Sequence, residues 1–321
     1  MSTTLSIFKR PRVSYAVVGG PRSDRVRRDG DGLSVILLAR GGRFYREELL
    51  KELAGAAHAQ VLSVEGPQPG YDLEELARKY PAVRFLVLQS QASPGERVNL
   101  GMEEAGASLV LVLWSDMFDD GGSLAAGLPE AARRRDLLCT VPRLKNLRGE
   151  VVPSVLVPAM IKGRLKVLPW KPAQEGMRSL YPFDYCGLYS RRRFRQLGGF
   201  DPWMVNPYWQ KMDFGFRAGL WGETIAWYPR FQLGYSAEPE GEDSTPDESY
   251  KLFFLKNEAV RFTGDSGLLP FARLPRYALR SGSGLLDSLK EFREVRAWVY
   301  ENRFRFQGDL PSLLSRWEMP E

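Results

Sequence analysis

The feature that most constrains the fold is a regular alternation between apolar runs of strand length and stretches with helical spacing. Continuous apolar runs are typical of strands that are buried on both faces of a sheet. Such runs cover residues 33–39, 60–64, 83–88 and 108–114, and helical stretches separate them at 44–57, 71–80 and 94–105. Strands that alternate with helices of this length form βαβ units and a mostly parallel sheet. The sequence therefore predicts an α/β fold whose ligands bind beyond the carboxyl ends of the strands.

Composition narrows the class of protein. The 321 residues are 44% hydrophobic and 12% aromatic, which is typical of a globular chain with a large core. An excess of 45 Lys and Arg over 39 Asp and Glu favours anionic partners, such as a nucleotide diphosphate or a membrane surface. A mildly basic soluble protein needs no such partner, and that alternative stays open. Cys139 and Cys186 are isolated, and no apolar run is long enough to cross a membrane. Together these features predict a cytoplasmic protein.

Residues capable of chemistry stand where three of the predicted strands end. The first strand ends in Ala39 and Arg40, the second in Glu65, and the fourth in Trp114-Ser-Asp116. The carboxyl ends of parallel strands meet at one edge of a sheet, so we expect these side chains to form one pocket. A carboxylate at the exit of a buried strand is costly without a partner, which marks Asp116 as a functional candidate.

A second informative segment, residues 181–221, combines a strand, a basic helix start, a Gly-Gly-Phe-Asp turn and a further helix. On that helix Asp213 and Arg217 stand at i, i+4, a spacing that favours an ion pair. This succession resembles the acceptor-side half of a family 2 glycosyltransferase with the GT-A fold. Upstream, Arg97-Val-Asn99-Leu-Gly is similar to the family's Ala-Arg-Asn-x-Gly helix start, and the strand ends follow the family's order.

The resemblance implies a fold, a reaction and a division of the chain. The fold would be α/β, a GT-A-like, Rossmann-type and mostly parallel sheet flanked by helices, with a C-terminal helical extension. The reaction would move a sugar from a nucleoside diphosphate sugar to a hydroxyl of a carbohydrate or lipid-linked acceptor, with inversion. The expected segments are an N-terminal arm at 1–32, a nucleotide-sugar-binding half at 33–142, an acceptor-binding half at 143–245 and the extension at 246–321.

The resemblance also gives the candidate residues their roles. Asp116 matches the last carboxylate of the family's Asp-x-Asp motif, which ligates the Mg²⁺ or Mn²⁺ that bridges the donor diphosphate. The resemblance implies that the nucleotide or donor is bound by Ala39, Arg40, Glu65, Arg97, Asn99 and Asp116.

The sequence departs from the family pattern at two places. Trp114 replaces the first Asp of the Asp-x-Asp motif, which leaves the divalent-cation site incomplete. Lys211 occupies the position of the family's general base, and a lysine is protonated near neutral pH unless it is desolvated. The sequence therefore lacks one of the expected metal ligands and the expected general base.

Two hypotheses remain open at this point. In the first, an active enzyme has replaced the metal by cationic side chains, either Lys211 or the arginines at 191–193, and Asp184 or Asp213 is the base. In the second, a degenerate transferase fold binds a nucleotide or another partner without turnover.

Residues 289–306 interleave basic with aromatic side chains. An amphipathic helix of this composition can lie on an anionic membrane, which would suit a peripheral protein with a lipid-linked acceptor. The alternative, which we favour, is a helix that packs on the domain with a charged outer face. No nucleic-acid-binding motif accompanies the basic residues, so a nucleic-acid partner is not predicted.

Overall fold

The structure, a computed structural model, describes residues 13–20, 30–40, 47–55, 59–120, 122, 128–134, 136–239, 241–282 and 284–317. Its strands, in chain order, are β1 (Tyr15–Val18), β2 (Gly30–Leu38), β3 (Ala59–Glu65), β4 (Val83–Leu88), β5 (Ala107–Trp114), β6 (Met117–Asp119), β7 (Cys139–Lys145), β8 (Val155–Ile161), β9 (Arg164–Trp170), β10 (Gly187–Ser190), β11 (Ile225–Tyr235), β12 (Arg261–Thr263) and β13 (Ser266–Leu268). Its helices are α1 (Glu47–Gly55), α2 (Leu73–Lys79), α3 (Pro94–Glu104), α4 (Arg191–Leu197), α5 (Pro207–Leu220), α6 (Glu248–Phe253), α7 (Leu274–Ser281), α8 (Leu285–Glu301) and α9 (Leu310–Ser315).

Within the described residues, nine strands form one central sheet in the order β1-β4-β3-β2-β5-β10-β7-β11-β6. Strands β2, β3, β4 and β5 are mutually parallel, and β7 and β11 run in the same direction beyond the antiparallel β10. Strands β1 and β6 are antiparallel at the two edges. The prediction of an α/β fold with a mostly parallel sheet flanked by helices is confirmed.

The centre of the sheet consists of the continuous apolar runs from which the sequence predicts buried strands. Strands β2 and β5 pair in parallel, and Ile36, Leu38 and Val112 along them are fully buried. Each such side chain contributes about 1.5–3 kcal/mol when it leaves water. Helix α3 packs directly on β2, and a Cβ at Gly101 would come within 2.6 Å of the Ile36 side chain. Glycine at that position therefore allows the close approach of helix and sheet.

The second half of the chain enters the sheet in the opposite direction. Strand β10 lies antiparallel to β5, with Gly187 opposite Val112 and Ser190 opposite Leu109. The carboxyl end of β10 thus lies at the edge of the sheet where β5 begins. Beyond β10, helix α5 starts at Pro207 with its N-cap at Asn206, while β8 and β9 form a separate hairpin.

The segment after residue 246 is mainly helical, with α6 to α9 and the small hairpin of β12 and β13. Phe292, Val295 and Val299 on α8 are buried, so the helix packs its apolar side on the domain, as the favoured alternative predicted. None of the helices in the described ranges has the length and apolar character required to span a bilayer. In the expected N-terminal arm, residues 15–18 form β1 and β2 begins at Gly30, whereas residues 1–12 and 21–29 lie outside the described part of the chain.

Candidate functional site at the strand ends

The carboxyl ends of β2, β3 and β5 meet at one edge of the sheet. The Ala39 amide donates to the carbonyl of Val64 on β3 at 3.1 Å. The Arg40 amide donates to the Ser115 hydroxyl at 3.2 Å, just beyond β5. These bonds bring Ala39, Arg40, Glu65 and Asp116 to the same edge, where open parallel sheets bind their ligands. The expected clustering of the strand-end residues is thus present.

Arg40 is the centre of a buried charge cluster. Its Nε lies 3.3 Å from the Asp116 carboxylate and its Nη2 lies 2.5 Å from that of Asp184. The guanidinium also stacks on the Trp114 indole, 4.1 Å from the ring centroid. Burial acts to lower the pKa of Arg40, but the Asp184 and Asp116 carboxylates outweigh it and raise the pKa. A permanent, enclosed cation therefore lies between the two carboxylates.

Asp184 reaches this cluster through an unusual backbone. Asp184 and Tyr185 have φ angles of 51° and 63°, in the left-handed region that Gly, Asn and Asp adopt most readily and that a tyrosine seldom adopts. Such conformations persist only where their surroundings impose them, and they concentrate at functional sites. Trp114 Nε1 donates to the Asp184 carbonyl at 2.8 Å, and the Tyr235 hydroxyl donates to its carboxylate at 3.0 Å.

The pKa of Asp184 is set by opposing effects. Burial raises its pKa, and it does so despite the opposing charges of Arg40 and Lys211 and the hydrogen bonds from Arg40 and Tyr235. A carboxylate with a raised pKa takes up a proton more readily when a further anion approaches. Asp184 is therefore suited to respond to an anionic ligand.

Glu65 and Arg97 form the second part of the site. Glu65 is fully buried and accepts hydrogen bonds from Ser63, at 2.6 Å, and from Tyr71. Burial raises the pKa of Glu65, against the opposing effects of these hydrogen bonds and of Arg97. Arg97 Nη1 donates to the Ala39 carbonyl at 2.9 Å, and burial lowers the pKa of this guanidinium. Arg97 therefore links helix α3 to the end of β2.

Asn99 lies away from this cluster, against the Gly-Gly-Phe-Asp turn. Its amide nitrogen donates to the Phe200 carbonyl at 2.7 Å, and its amide oxygen accepts from the Phe200 N–H at 2.9 Å. Gly198 and Gly199 in the turn have φ angles of 93° and 69°, which only glycine adopts without penalty. Asn99 thus fastens the turn to helix α3.

Asp213 belongs to a separate, fully enclosed ion-pair network. Its carboxylate lies 2.6 Å from Arg217 and 3.5 Å from Lys256, and Asn257 donates to it at 2.9 Å. Burial would raise the pKa of Asp213, but Arg217 and Lys256 outweigh it and lower the pKa. Arg217 also donates to the carbonyl of Gly199 at 2.8 Å. The network holds the turn, α5 and the C-terminal segment together.

Lys211, one turn into α5, faces the strand-end cluster. Its ammonium pairs with Glu242 and lies 5.2 Å from the centroid of the Tyr185 ring. The Tyr181 hydroxyl donates to the other Glu242 oxygen at 3.0 Å. Because Lys211 also acts electrostatically on Asp184, the charges alternate in sign from Asp116 through Arg40, Asp184 and Lys211 to Glu242.

The arginines at 191–193 do not reach the strand ends. Arg191 Nε donates to the Met102 carbonyl at 2.9 Å, and Arg193 lies 2.8 Å from Glu223. They follow the antiparallel β10, so they lie at the edge where β5 begins. The expectation that they stabilise a leaving diphosphate is therefore wrong.

Sequence reasoning missed three groups of residues. Glu242 lies in an acidic loop without periodicity, and Lys256 and Asn257 lie in a π-helical segment, Phe254–Glu258, that no local pattern announces. Tyr235 lies at the end of β11, and its hydrogen bond to Asp184 appears only in the folded chain. Of these, only the π-helical segment belongs to a class that often marks functional sites, and it is visible only in coordinates.

The charged residues at this edge do not fit a divalent cation. Asp116 and Asp184 both pair with the Arg40 guanidinium. Across the described ranges, no group of three or more His, Cys, Asp or Glu side chains is arranged to hold a metal ion. Trp114, at the place of the first Asp of the Asp-x-Asp pattern, stacks on the guanidinium instead of offering a ligand.

The chain is similar to known proteins in its fold, whereas its sequence matches none of the families or curated proteins compared. No family model and no curated protein matches the sequence. A crystal structure of GalNAc-T7 with UDP, GalNAc and Mn²⁺ superposes with a TM-score of 0.57 at 15% identity, over 90% of this chain and 58% of that one. S. aureus TarS 1-349 in complex with UDP-GlcNAc has a TM-score of 0.50 at 17% identity, over 84% of this chain and 73% of that one. The chain thus spans little more than half the length of the GalNAc-T7 structure.

These structural neighbours are glycosyltransferases with the GT-A fold, and the predicted GT-A-like architecture is confirmed. At such low identity they establish the fold alone. Membership of family 2 and the correspondence with the Asp-x-Asp motif stay predictions.

Proposed function

We propose that this protein transfers a sugar from a nucleoside diphosphate sugar to a hydroxyl acceptor at the carboxyl ends of β2, β3 and β5. The observation that carries the proposal is the convergence of Arg40, Asp116 and Asp184 with Glu65 and Arg97 at that edge of a GT-A-like sheet. The structures of the neighbours hold UDP and UDP-GlcNAc, which supports a uridine nucleotide as the donor.

The two parts of the site suit the two ends of a nucleotide. Glu65 is buried, and its two carboxylate oxygens accept from Ser63 and Tyr71, so we assign it a positioning role beside Arg97 at the wall that a ribose or base would contact. Arg40 offers a planar guanidinium, which binds phosphate oxygens with several N–H groups at once. Asn99 would support the donor indirectly, through the turn that it fastens.

The chemical step needs a cation for the leaving diphosphate and a base for the acceptor. We assign the first role to Arg40, whose charge is already in place before the reaction. The acceptor oxygen would attack the anomeric carbon while the bond to the diphosphate breaks and its electron pair leaves with the diphosphate. A single displacement of this kind inverts the anomeric carbon.

For the base we propose Glu242, which would take the proton of the acceptor hydroxyl. Its side chain is 23% exposed, whereas that of Asp213 is fully enclosed by its partners. Lys211 orients the Glu242 carboxylate, and Asp184 orients Arg40, so both are proposed as positioning residues. A carbohydrate or lipid-linked acceptor, as the sequence predicts, would approach from the side of α5 and the loop that carries Glu242.

We propose that this chain works without a divalent cation. The GalNAc-T7 structure contains Mn²⁺, whereas the carboxylates that would hold a metal here are engaged by Arg40. We therefore assign no step to a metal ion.

A second candidate function is nucleotide binding without turnover. The observation that favours it is Lys211, which stands at the position where the family has its base and is held in an ion pair with Glu242. The two candidates share the donor site and differ only in whether Glu242 acts as a base.

The experiment that separates them is a panel of nucleotide sugars incubated with the purified full chain, with Mn²⁺ or with a chelator. We expect hydrolysis or transfer with at least one donor in the chelator, and a fall in kcat of about 10²–10⁴ in Glu242→Gln with donor affinity retained. Glu238→Gln, an exposed neighbour on the same loop, is the matched control. Binding without turnover would support the second candidate, and a lack of nucleotide binding would refute both.

A further inference from the structure

The α7–α8 hairpin presents three leucines to solvent at its tip. Leu279, Leu285 and Leu286 are 88%, 78% and 82% exposed, more than any other large hydrophobic side chain in the described residues. They lie at the last turn of α7 and the first turn of α8, on either side of a connection of three residues. Water contact over three leucines of one hairpin is costly, and exposed apolar surface of this kind often marks an interaction site.

The two helices of the hairpin are bonded to each other, and α8 is packed on the core. The hydroxyls of Ser281 and Ser288 lie 2.8 Å apart, and the Tyr277 hydroxyl donates to Glu291 at 2.5 Å. Phe292 on α8 is fully buried. The leucines therefore project from a pair of helices whose other side is packed on the core.

The charge around the tip is positive on balance. Residues 266–300 contain six Lys and Arg against Asp287, Glu291 and Glu294, a net charge of +3, and Asp287 is exposed directly after Leu286. Further along the exposed side of α8, Lys290 and Arg293 follow Leu286 at helical spacing, and both are exposed. Leucines at a tip with arginines and lysine behind them are the pattern of segments that enter the headgroup region of an anionic bilayer.

We propose that the tip of the α7–α8 hairpin docks this protein on an anionic lipid surface, with the three leucines inserted among the lipids and the basic side chains at the headgroups. A second copy of the chain is a poorer occupant, because a symmetric contact would bring the arginines of both copies together. A membrane offers both the apolar layer and the negative charge. This proposal uses none of the residues of the strand-end site and holds whether or not that site is catalytic.

The test is co-sedimentation of the full chain with vesicles of phosphatidylcholine alone or mixed with phosphatidylserine. We expect binding to the mixed vesicles, weakened by salt. The triple variant L279S/L285S/L286S should lower the partition coefficient by roughly tenfold for each leucine. Arg276→Gln should lower it about fivefold, since one basic residue near an anionic surface contributes about that factor.

The matched control is L147S/M160S/I161S, which replaces three apolar side chains that are 57%, 50% and 42% exposed elsewhere on the surface. It should bind vesicles as the wild type does, and thermal melting should show that all variants are folded. Failure of the wild type to bind mixed vesicles, or undiminished binding by the triple leucine variant, would overturn the proposal. So would a concentration-dependent dimer that only the leucine variant abolishes, since the occupant would then be a second copy.

Discussion

Replacing Asp213 by Asn separates a structural role of this carboxylate from a catalytic one. The change keeps the shape of the side chain but leaves Arg217 and Lys256, each with 4% of its side chain exposed, without their shared anion. Removing one partner of a buried ion pair costs about 3–5 kcal/mol. Lys256 keeps Asp201 at 2.7 Å and Arg217 keeps two backbone carbonyls, so we expect the lower end, about 3 kcal/mol.

That free energy can be read as a shift in melting temperature. The unfolding entropy of a chain of 321 residues is roughly 0.7 kcal/mol per degree, so about 3 kcal/mol corresponds to about 4–5 °C. Calorimetry or dye-based melting of D213N against the wild type measures it. The matched control is Asp120→Asn, which breaks the partly exposed pair with Lys145 and should cost no more than about 1 kcal/mol.

The dependence on pH gives a second measure of the same effect. The folded-state pKa of Asp213 is depressed, so its stabilisation is complete above its unfolded pKa of about 3.9 and is lost as the pH falls through the folded value. The difference between wild type and D213N should therefore be constant at neutral pH and shrink only below about pH 4. An unchanged melting temperature together with abolished turnover would refute the structural role and return Asp213 to the position of a base.

Three further predictions follow from the other buried groups. At neutral pH, Glu65→Gln should be as stable as the wild type or more stable. The pKa of Glu65 is raised, so the stability that its protonated carboxyl contributes is lost as the pH rises through the folded value. The affinity for a uridine nucleotide, measured by titration, should fall. Asn99→Ala should destabilise by about 1–3 kcal/mol in urea unfolding through the two bonds lost to Phe200, while UDP affinity falls less than in Glu65→Gln. UDP binding should be accompanied by proton uptake at Asp184 and should tighten as the pH falls towards its raised pKa; identical binding heats in buffers of different ionisation enthalpy would contradict this.

The fold of the first half could be predicted because its strands are buried on both faces. Continuous apolar runs at β2, β3, β4 and β5 leave little choice of structure, and their shared direction places their carboxyl ends at one edge. The convergence of Ala39, Arg40, Glu65 and Asp116 followed from that direction alone.

The acceptor side could not be predicted in the same way. The direction of β10 is set by its pairing with strands that are distant in sequence. Because the sequence does not show that direction, it places the arginines at 191–193 at the wrong edge of the sheet. The contact between Arg40 and Asp184 bridges 144 positions and depends on left-handed backbone at Asp184 and Tyr185, which is not expected of a tyrosine. Glu242 stands in a loop without pattern, so its pairing with Lys211 appeared only in the folded chain.

The central claim is that a guanidinium at the strand ends receives the diphosphate of a uridine nucleotide. Calorimetric titration of UDP in a chelator, for the wild type, Arg40→Lys and Arg40→Met, tests it most directly. We expect the wild type to bind in the chelator and Mn²⁺ to change the affinity little. Arg40→Met should lose about 10- to 100-fold, the value of hydrogen bonds to a charged group, and Arg40→Lys should fall between the two. UDP binding that requires Mn²⁺ and is indifferent to Arg40 would contradict the account.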